Sequence, residues 1–119
     1  MKVVAASKET GESLADSVQV ARSAWSRFWG LMMRRHLPHG HGLLIDPCSS
    51  VHTMFMRFPI DVIYLDRENR VVKIAADMKP YRASIGRGAR SVLEVNGGVA
   101  AEKGLTVGDR VVLTESPKD

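Results

Sequence analysis

The stretch Ile60-Asp61-Val62-Ile63-Tyr64-Leu65-Asp66-Arg67-Glu68-Asn69-Arg70-Val71-Val72-Lys73-Ile74-Ala75 decides the fold. Two runs rich in Val, Ile and Tyr flank four polar residues suited to a tight connection. That pattern predicts an antiparallel β-hairpin over 60–75, with Asp66 to Asn69 as its turn. Upstream, His52 to Pro59 leads into the first strand, so His52 to Asp66 is expected to organise a mostly β core.

Working outward, Ser17 to Ala21 alternates and reads as a strand, with Val18 and Val20 on one side. Leu43 to Ile45 is a short apolar run, stopped at Asp46-Pro47 because the residue before proline avoids the α region. Val51 to Met56 is a further strand candidate. Val92, Leu93 and Val95 suggest another, and Val111 to Leu113 the last. Lys79 to Gly88, with Pro80, Gly86 and Gly88, reads as a loop. Val99 to Lys103 makes about one helical turn, ended by Gly104. Another short helix is expected from Ala24, capped by Ser23, with Gly30 limiting its length. Trp25, Phe28, Trp29 and Met32 then share a face. That stripe either packs on the sheet or leaves part of itself exposed as a partner surface.

Strands therefore dominate. The expected class is α+β, mostly β: a small barrel-like sheet with one or two short helices. The 119 residues suit one domain over 17–114. Residues 1–16, polar from Ser7 onward, are expected to be a loop or mobile lead-in, and 115–119 a frayed tail.

Composition narrows the function classes. The chain carries 17 Lys+Arg against 13 Asp+Glu, a formal charge of +4. The bases are scattered and form no stripe, which argues against nucleic acid. The single cysteine, Cys48, allows no intramolecular disulfide and no multi-cysteine zinc cluster. No apolar run reaches transmembrane length, and the charged N-terminal stretch lacks a secretory core. A soluble, cytoplasmic protein without a cofactor is the expectation.

Several phrases follow one another in a specific order: Arg27-Phe28-Trp29-Gly30-Leu31-Met32-Met33-Arg34, then Leu37-Pro38-His39-Gly40-His41-Gly42-Leu43-Leu44. His52-Thr53-Met54-Phe55-Met56-Arg57-Phe58-Pro59-Ile60-Asp61-Val62 and Asp66 come next. Val92-Leu93-Glu94, Gly98 and Gly104-Leu105-Thr106-Val107-Gly108-Asp109 close the series. In this order they resemble domain-of-unknown-function family 192 of bacteria and archaea, over about residues 17–113. The resemblance implies a compact β-rich domain and brings no catalytic residue. Some members resemble exported proteins with an N-terminal signal, from which this chain departs.

Six residue groups could carry chemistry. Cys48 and His52 would make a thiol and its base, but residues four apart in an extended chain are about 13 Å apart. His52, Met54 and Met56 share a strand face and offer soft ligands for Cu(I), although methionines on a buried face need no metal. Arg57 and Asp61 flank Pro59, and a bend there would make an anion-holding pair or a structural ion pair. Arg82, Arg87 and Arg90 lie in a Gly-containing loop able to wrap an anion. Glu94 lies on the opposite face from Leu93 and Val95; if buried, it needs an Arg such as Arg57 or Arg90. His36, His39 and His41 crowd a Gly/Pro loop; His39 and His41 could chelate a metal weakly, but no carboxylate lies beside them in sequence, so surface histidines are expected.

The preferred function is a non-catalytic binding or accessory domain. It would recognise a small anion or a protein partner through Arg57 and the 82–90 loop. The alternative is a small enzyme using Cys48 and His52, or Asp61, in a pocket.

Overall fold

Ile60–Leu65 and Val71–Met78 pair antiparallel, as the hairpin pattern requires. Asp66 closes the turn between them. Its Oδ1 accepts from the Glu68 and Arg70 amides at 2.8 and 3.0 Å, and Asn69 takes the left-handed conformation at φ 63°. Those two amides also hold the exposed Asp66 carboxyl below its ordinary range.

The computed structural model describes residues 2–22, 37–53 and 58–115. In chain order its strands are β1 (Lys2–Lys8), β2 (Ser13–Ala21), β3 (His41–Ile45), β4 (Ser50–His52), β5 (Ile60–Leu65), β6 (Val71–Met78), β7 (Ala83–Ile85), β8 (Ser91–Asn96) and β9 (Val111–Glu115). The helix among the described residues is α1, Val99–Glu102. Strand accounts for 56% of these residues and helix for 4%, so the class is mostly β as expected. None of their helices is long and apolar enough to cross a membrane.

Seven strands form one curled sheet in the order β6-β5-β8-β3-β2-β1-β9, and β4 and β7 form a separate ribbon. Neighbours run antiparallel except β2 and β3, which are parallel. A parallel pair needs a long crossover, here residues 22–40. The helix expected from Ala24, with Trp25 and Trp29, falls in that crossover and lies outside the described residues.

The outermost strands, β6 and β9, meet at one end. Val71 N donates to Asp109 O, Val111 N to Asn69 O and Gly108 N to Val71 O, each at 2.8 Å. This contact blunts two edges that would otherwise be open to pairing. Curling divides the apolar residues into two clusters. Val18, Val20, Leu44, Ile63, Leu65, Leu93 and Val95 fill the inside of the half-barrel. Leu43, Ile45, Ile60, Val62, Tyr64 and Val92 lie on the outer face and pack beneath other segments. Strand β5, between β6 and β8, is buried along its whole length because both its faces are covered.

Two segments differ from the sequence expectation. The stretch 1–16, expected as a lead-in, supplies β1 and the first part of β2. Val4, Ala6, Leu14 and Ala15 bury apolar side chains in the inner cluster, and β1 gains its other partner from β9. The Lys79–Gly88 segment, expected as a loop, contains β7, because Ala83 to Ile85 find backbone partners on β4.

Candidate functional site

The ribbon is knotted by Thr53. Its buried hydroxyl donates to Lys79 O at 2.6 Å and accepts from Arg82 N at 2.8 Å. Thr53 N donates to Arg82 O, and Tyr81 N donates back to Thr53 O. These bonds hold Tyr81 at φ 64°, a conformation that costs a bulky residue of order 1 kcal/mol or more. The ring is nonetheless 69% exposed, and Ile85 on β7 is 65% exposed.

Gly86 N closes the end of the ribbon by donating to Ser49 O at 2.8 Å, and Gly86 itself seats the ribbon on the sheet against Tyr64. A Cβ at Gly86 would overlap the Tyr64 ring. Lys73 adds a strap from β6: its Nζ donates to Ile85 O at 2.8 Å and lies 5.9 Å from the centre of the Tyr64 ring. Gly86→Ala is therefore expected to cost about 2 kcal/mol, because ring or ribbon must move in a packed site. Urea denaturation checks this; an unchanged midpoint would mean the ribbon is loosely seated.

The loop arginines have separate settings. Arg90 Nε donates to Asp46 Oδ1 at 3.0 Å, and Arg82 Nη1 donates to Tyr81 O at 3.3 Å. Arg87 is exposed in the turn before Ala89 and makes no ion pair among the described residues. His52 is exposed at the end of β4, its backbone opposite Ala83. The half-buried Cys48 packs against the outer cluster, and its thiol donates to Ser50 O at 3.1 Å. Arg57, Met54 and Met56 lie outside the described residues, and with them the Arg57–Asp61 pair and the Cu(I) set. No group of three or more His, Cys, Asp or Glu among the described residues is placed to hold a metal ion.

Beneath the ribbon lies a polar cluster on the outer face of β5 and β8. The register sets Val62 opposite Glu94 and Tyr64 opposite Val92, so Tyr64 and Glu94 are diagonal neighbours on one face. Glu94 is 5% exposed, and burial pushes its carboxyl up to about 7. No ion pair reaches it among the described residues; Arg90, one of its two expected partners, is taken by Asp46. Burial likewise raises the Tyr64 phenol; the nearby Ser84 hydroxyl opposes the shift, and Cys48 and Glu94 reinforce it. Ser84 is thus a neighbour of Tyr64. Even so, neither buried hydroxyl completes a well-formed hydrogen bond among the described residues. Tyr64 and Ser84 escaped the sequence reading. The one trace of them was strand alternation, which puts Tyr64 on the face of Val62.

Asp61 points the other way, into the inside of the half-barrel. Oδ1 accepts from Asp77 N at 2.7 Å and Gly98 N at 3.1 Å, and Oδ2 from Ala100 N at 2.8 Å. Gly98 is the N-cap of α1 and has no capping side chain of its own. Asp61 supplies that acceptor from another strand, and it fixes the chain reversal after β8.

The sheet and the order of sequence phrases define a class of small, β-rich single-sheet domain, and comparison with known proteins places it. The model of DUF192, described as an uncharacterised ACR, matches residues 5–113, and the chain belongs to that family. It is 33% identical over 107 residues to the UPF0127 protein PF1050 of Pyrococcus furiosus, spanning 85% of this chain and 90% of that one. It is 28% identical over 109 residues to a UPF0127 protein of Thermococcus sibiricus, spanning 87% of this chain and 70% of that one. Among solved structures, a protein of unknown function from Novosphingobium aromaticivorans superposes with a TM-score of 0.77 at 28% identity. That match covers 92% of this chain and 83% of the other. A Sinorhizobium meliloti structure, at 24% identity, shares the fold with a TM-score of 0.82 over 94% of this chain and 92% of that one.

Proposed function

We propose that this protein is a non-catalytic binding domain whose β4–β7 ribbon docks on an acidic segment of a partner polypeptide. The observation that carries the reading is the coincidence of charge and exposed apolar surface. Residues 79–90 contain Lys79, Arg82, Arg87 and Arg90 and no acid, and Tyr81 and Ile85 stand exposed among them. Tyrosine and arginine are the side chains that most often anchor interfaces. The aliphatic Ile85 suits an apolar side chain of a polypeptide better than a small anion, and Arg90 is already held by Asp46. The ribbon is pinned by Thr53 and Gly86, so little ordering is lost on binding. An enzyme working through Asp61 is disfavoured, because its two oxygens accept three backbone amides. A reducing, cytoplasmic setting suits the single thiol of Cys48.

Titration with a Glu–Tyr copolymer, followed by amide shifts, tests this reading. The expected result is saturable binding that moves ribbon amides. Tyr81→Ala with Ile85→Ser should weaken it about tenfold or more. Arg87→Glu should weaken it chiefly at low salt. Equal binding by the Tyr81/Ile85 double variant overturns the ribbon as the surface. Saturation of the same amides by inorganic phosphate or citrate alone overturns the polypeptide in favour of a small anion.

A further inference from the structure

A two-stranded ribbon has two outer edges, and the register of β4 with β7 fixes which backbone groups those edges carry. Ser50 faces Ile85, Val51 faces Ser84 and His52 faces Ala83. Just beyond the pairing, Gly86 N donates to Ser49 O and Thr53 N to Arg82 O. In an antiparallel ladder, the residues that exchange hydrogen bonds recur at every second position. The bonded pairs are therefore Ser49–Gly86, Val51–Ser84 and Thr53–Arg82. Ala83 and Ile85 fall between them, so their N–H and C=O groups turn away from β4, towards the outer edge of β7.

Lys73 engages one of these groups: its Nζ donates to Ile85 O at 2.8 Å, which fixes the way this edge faces. Among the described residues, no hydrogen bond reaches Ala83 N, Ala83 O or Ile85 N. Both residues are exposed. Ser84 turns its hydroxyl inward beside Tyr64, so by alternation Ala83 and Ile85 turn their side chains outward. An open strand edge is a template for pairing with a further strand.

Charge selects between the two edges and between their occupants. Lys79, Arg82 and Arg87 flank the β7 edge, Lys73 lies against it, and residues 79–90 contain no acid. The β4 edge, Ser49-Ser50-Val51-His52-Thr53, contains no Lys, Arg, Asp or Glu. A second copy of this chain pairing along β7 would bring Arg82 and Arg87 of both copies together, and like charges across a strand pair are destabilising. An acidic segment meets no such penalty.

We propose that the acidic partner segment binds as an added strand along the outer edge of β7, closing main-chain hydrogen bonds with Ala83 and Ile85. This rests on the docking reading and gives its geometry. Ala83 N, Ala83 O and Ile85 N supply the main-chain bonds, which hold an extended segment whatever its side chains. Acids of the segment reach Arg82 and Arg87 at the two ends of the edge, and an apolar side chain of it packs on Ile85.

The test is amide hydrogen exchange of the protein alone and saturated with the Glu–Tyr copolymer. Exchange at Ala83 and Ile85 is expected to slow about tenfold or more, while Ser84, already bonded to Val51, changes little. Ala83→Pro removes one of the three groups. The ladder does not use that N–H, and proline is tolerated on a strand edge, so the ribbon stays paired and Ser84 stays protected. The variant should bind the copolymer about tenfold more weakly. Two results overturn the added strand and leave side-chain docking standing. One is saturable ribbon shifts without selective slowing at Ala83 and Ile85; the other is equal binding by an Ala83→Pro variant whose Ser84 is still protected. No saturable binding removes the docking reading and the added strand together. Selective slowing at Ser50 and His52 overturns the assignment to β7 in favour of β4. Slowing at Ala83 and Ile85 that grows with protein concentration, without copolymer, overturns the acidic segment in favour of a second copy.

Discussion

Asp61→Ala is expected to destabilise the protein by about 4 kcal/mol, a large part of the stability of a domain this size. The carboxylate is fully buried and accepts from the amides of Asp77, Gly98 and Ala100. Alanine leaves these donors without their acceptor at a helix start that has no capping side chain of its own. Each orphaned buried donor costs about 1–3 kcal/mol, and water reaching the two part-buried ones limits the total. Asp61→Asn should cost less, about 2 kcal/mol, because one acceptor oxygen survives. Urea denaturation measures both. An alanine variant within about 1 kcal/mol of the parent would show that Asp61 does not hold the reversal after β8. Hydrogen exchange should also show faster exchange at Ala100 in the asparagine variant, placing the loss at α1.

The second large effect is the pH dependence that Glu94 imposes. Its carboxyl titrates near 7 in the folded protein and near 4.5 when exposed to water. Between those values the folded state holds a proton that the unfolded state releases. Stability from this group is therefore fully present below about pH 4.5 and falls as pH rises towards 7. Above 7 the loss is complete, and the interval corresponds to about 3 kcal/mol. Glu94→Gln keeps the shape, removes the charge and should remove this slope. At about pH 8 the variant should be more stable than the parent by about 2–3 kcal/mol, and near pH 5 nearly equal. The quantity to measure is the difference between parent and variant, which isolates this one group from the rest of the chain. Parallel stability profiles from pH 5 to pH 8 would mean that the buried carboxylate has a counter-charge, and would reverse this account of the site.

Both effects rest on residues that the sequence marked for different reasons. Asp61 stood out beside Arg57 across Pro59, as half of an ion pair, and Arg57 lies outside the described residues. The donors it does engage are backbone amides 16, 37 and 39 residues away. A backbone amide leaves no residue-specific trace, so no pattern in the chain could announce them. Glu94 was legible to one face by alternation with Leu93 and Val95. Its burial was not, because it depends on segments such as the ribbon being laid over the outer face of β8.

The ribbon follows the same logic. Ala83 to Ile85 is too short to read as a strand, and only pairing with Ser50 to His52 makes it one. Likewise β1, rich in small residues, becomes recognisable beside β9, whose residues lie about a hundred positions away.

By itself the sequence determined the strand-dominated class, the 60–75 hairpin and its Asp66 turn, and the membership in DUF192. These depend on local periodicity, turn chemistry and the order of phrases, all of which are written along the chain. Only the tertiary structure decided which face each strand buries, that Asp61 caps a helix from another strand, and that Tyr81 and Ile85 stand exposed together. The reason is physical. Burial and hydrogen-bond partners in a curled sheet are set by strands far apart in sequence, and the same alternating pattern serves a wet face or a covered one.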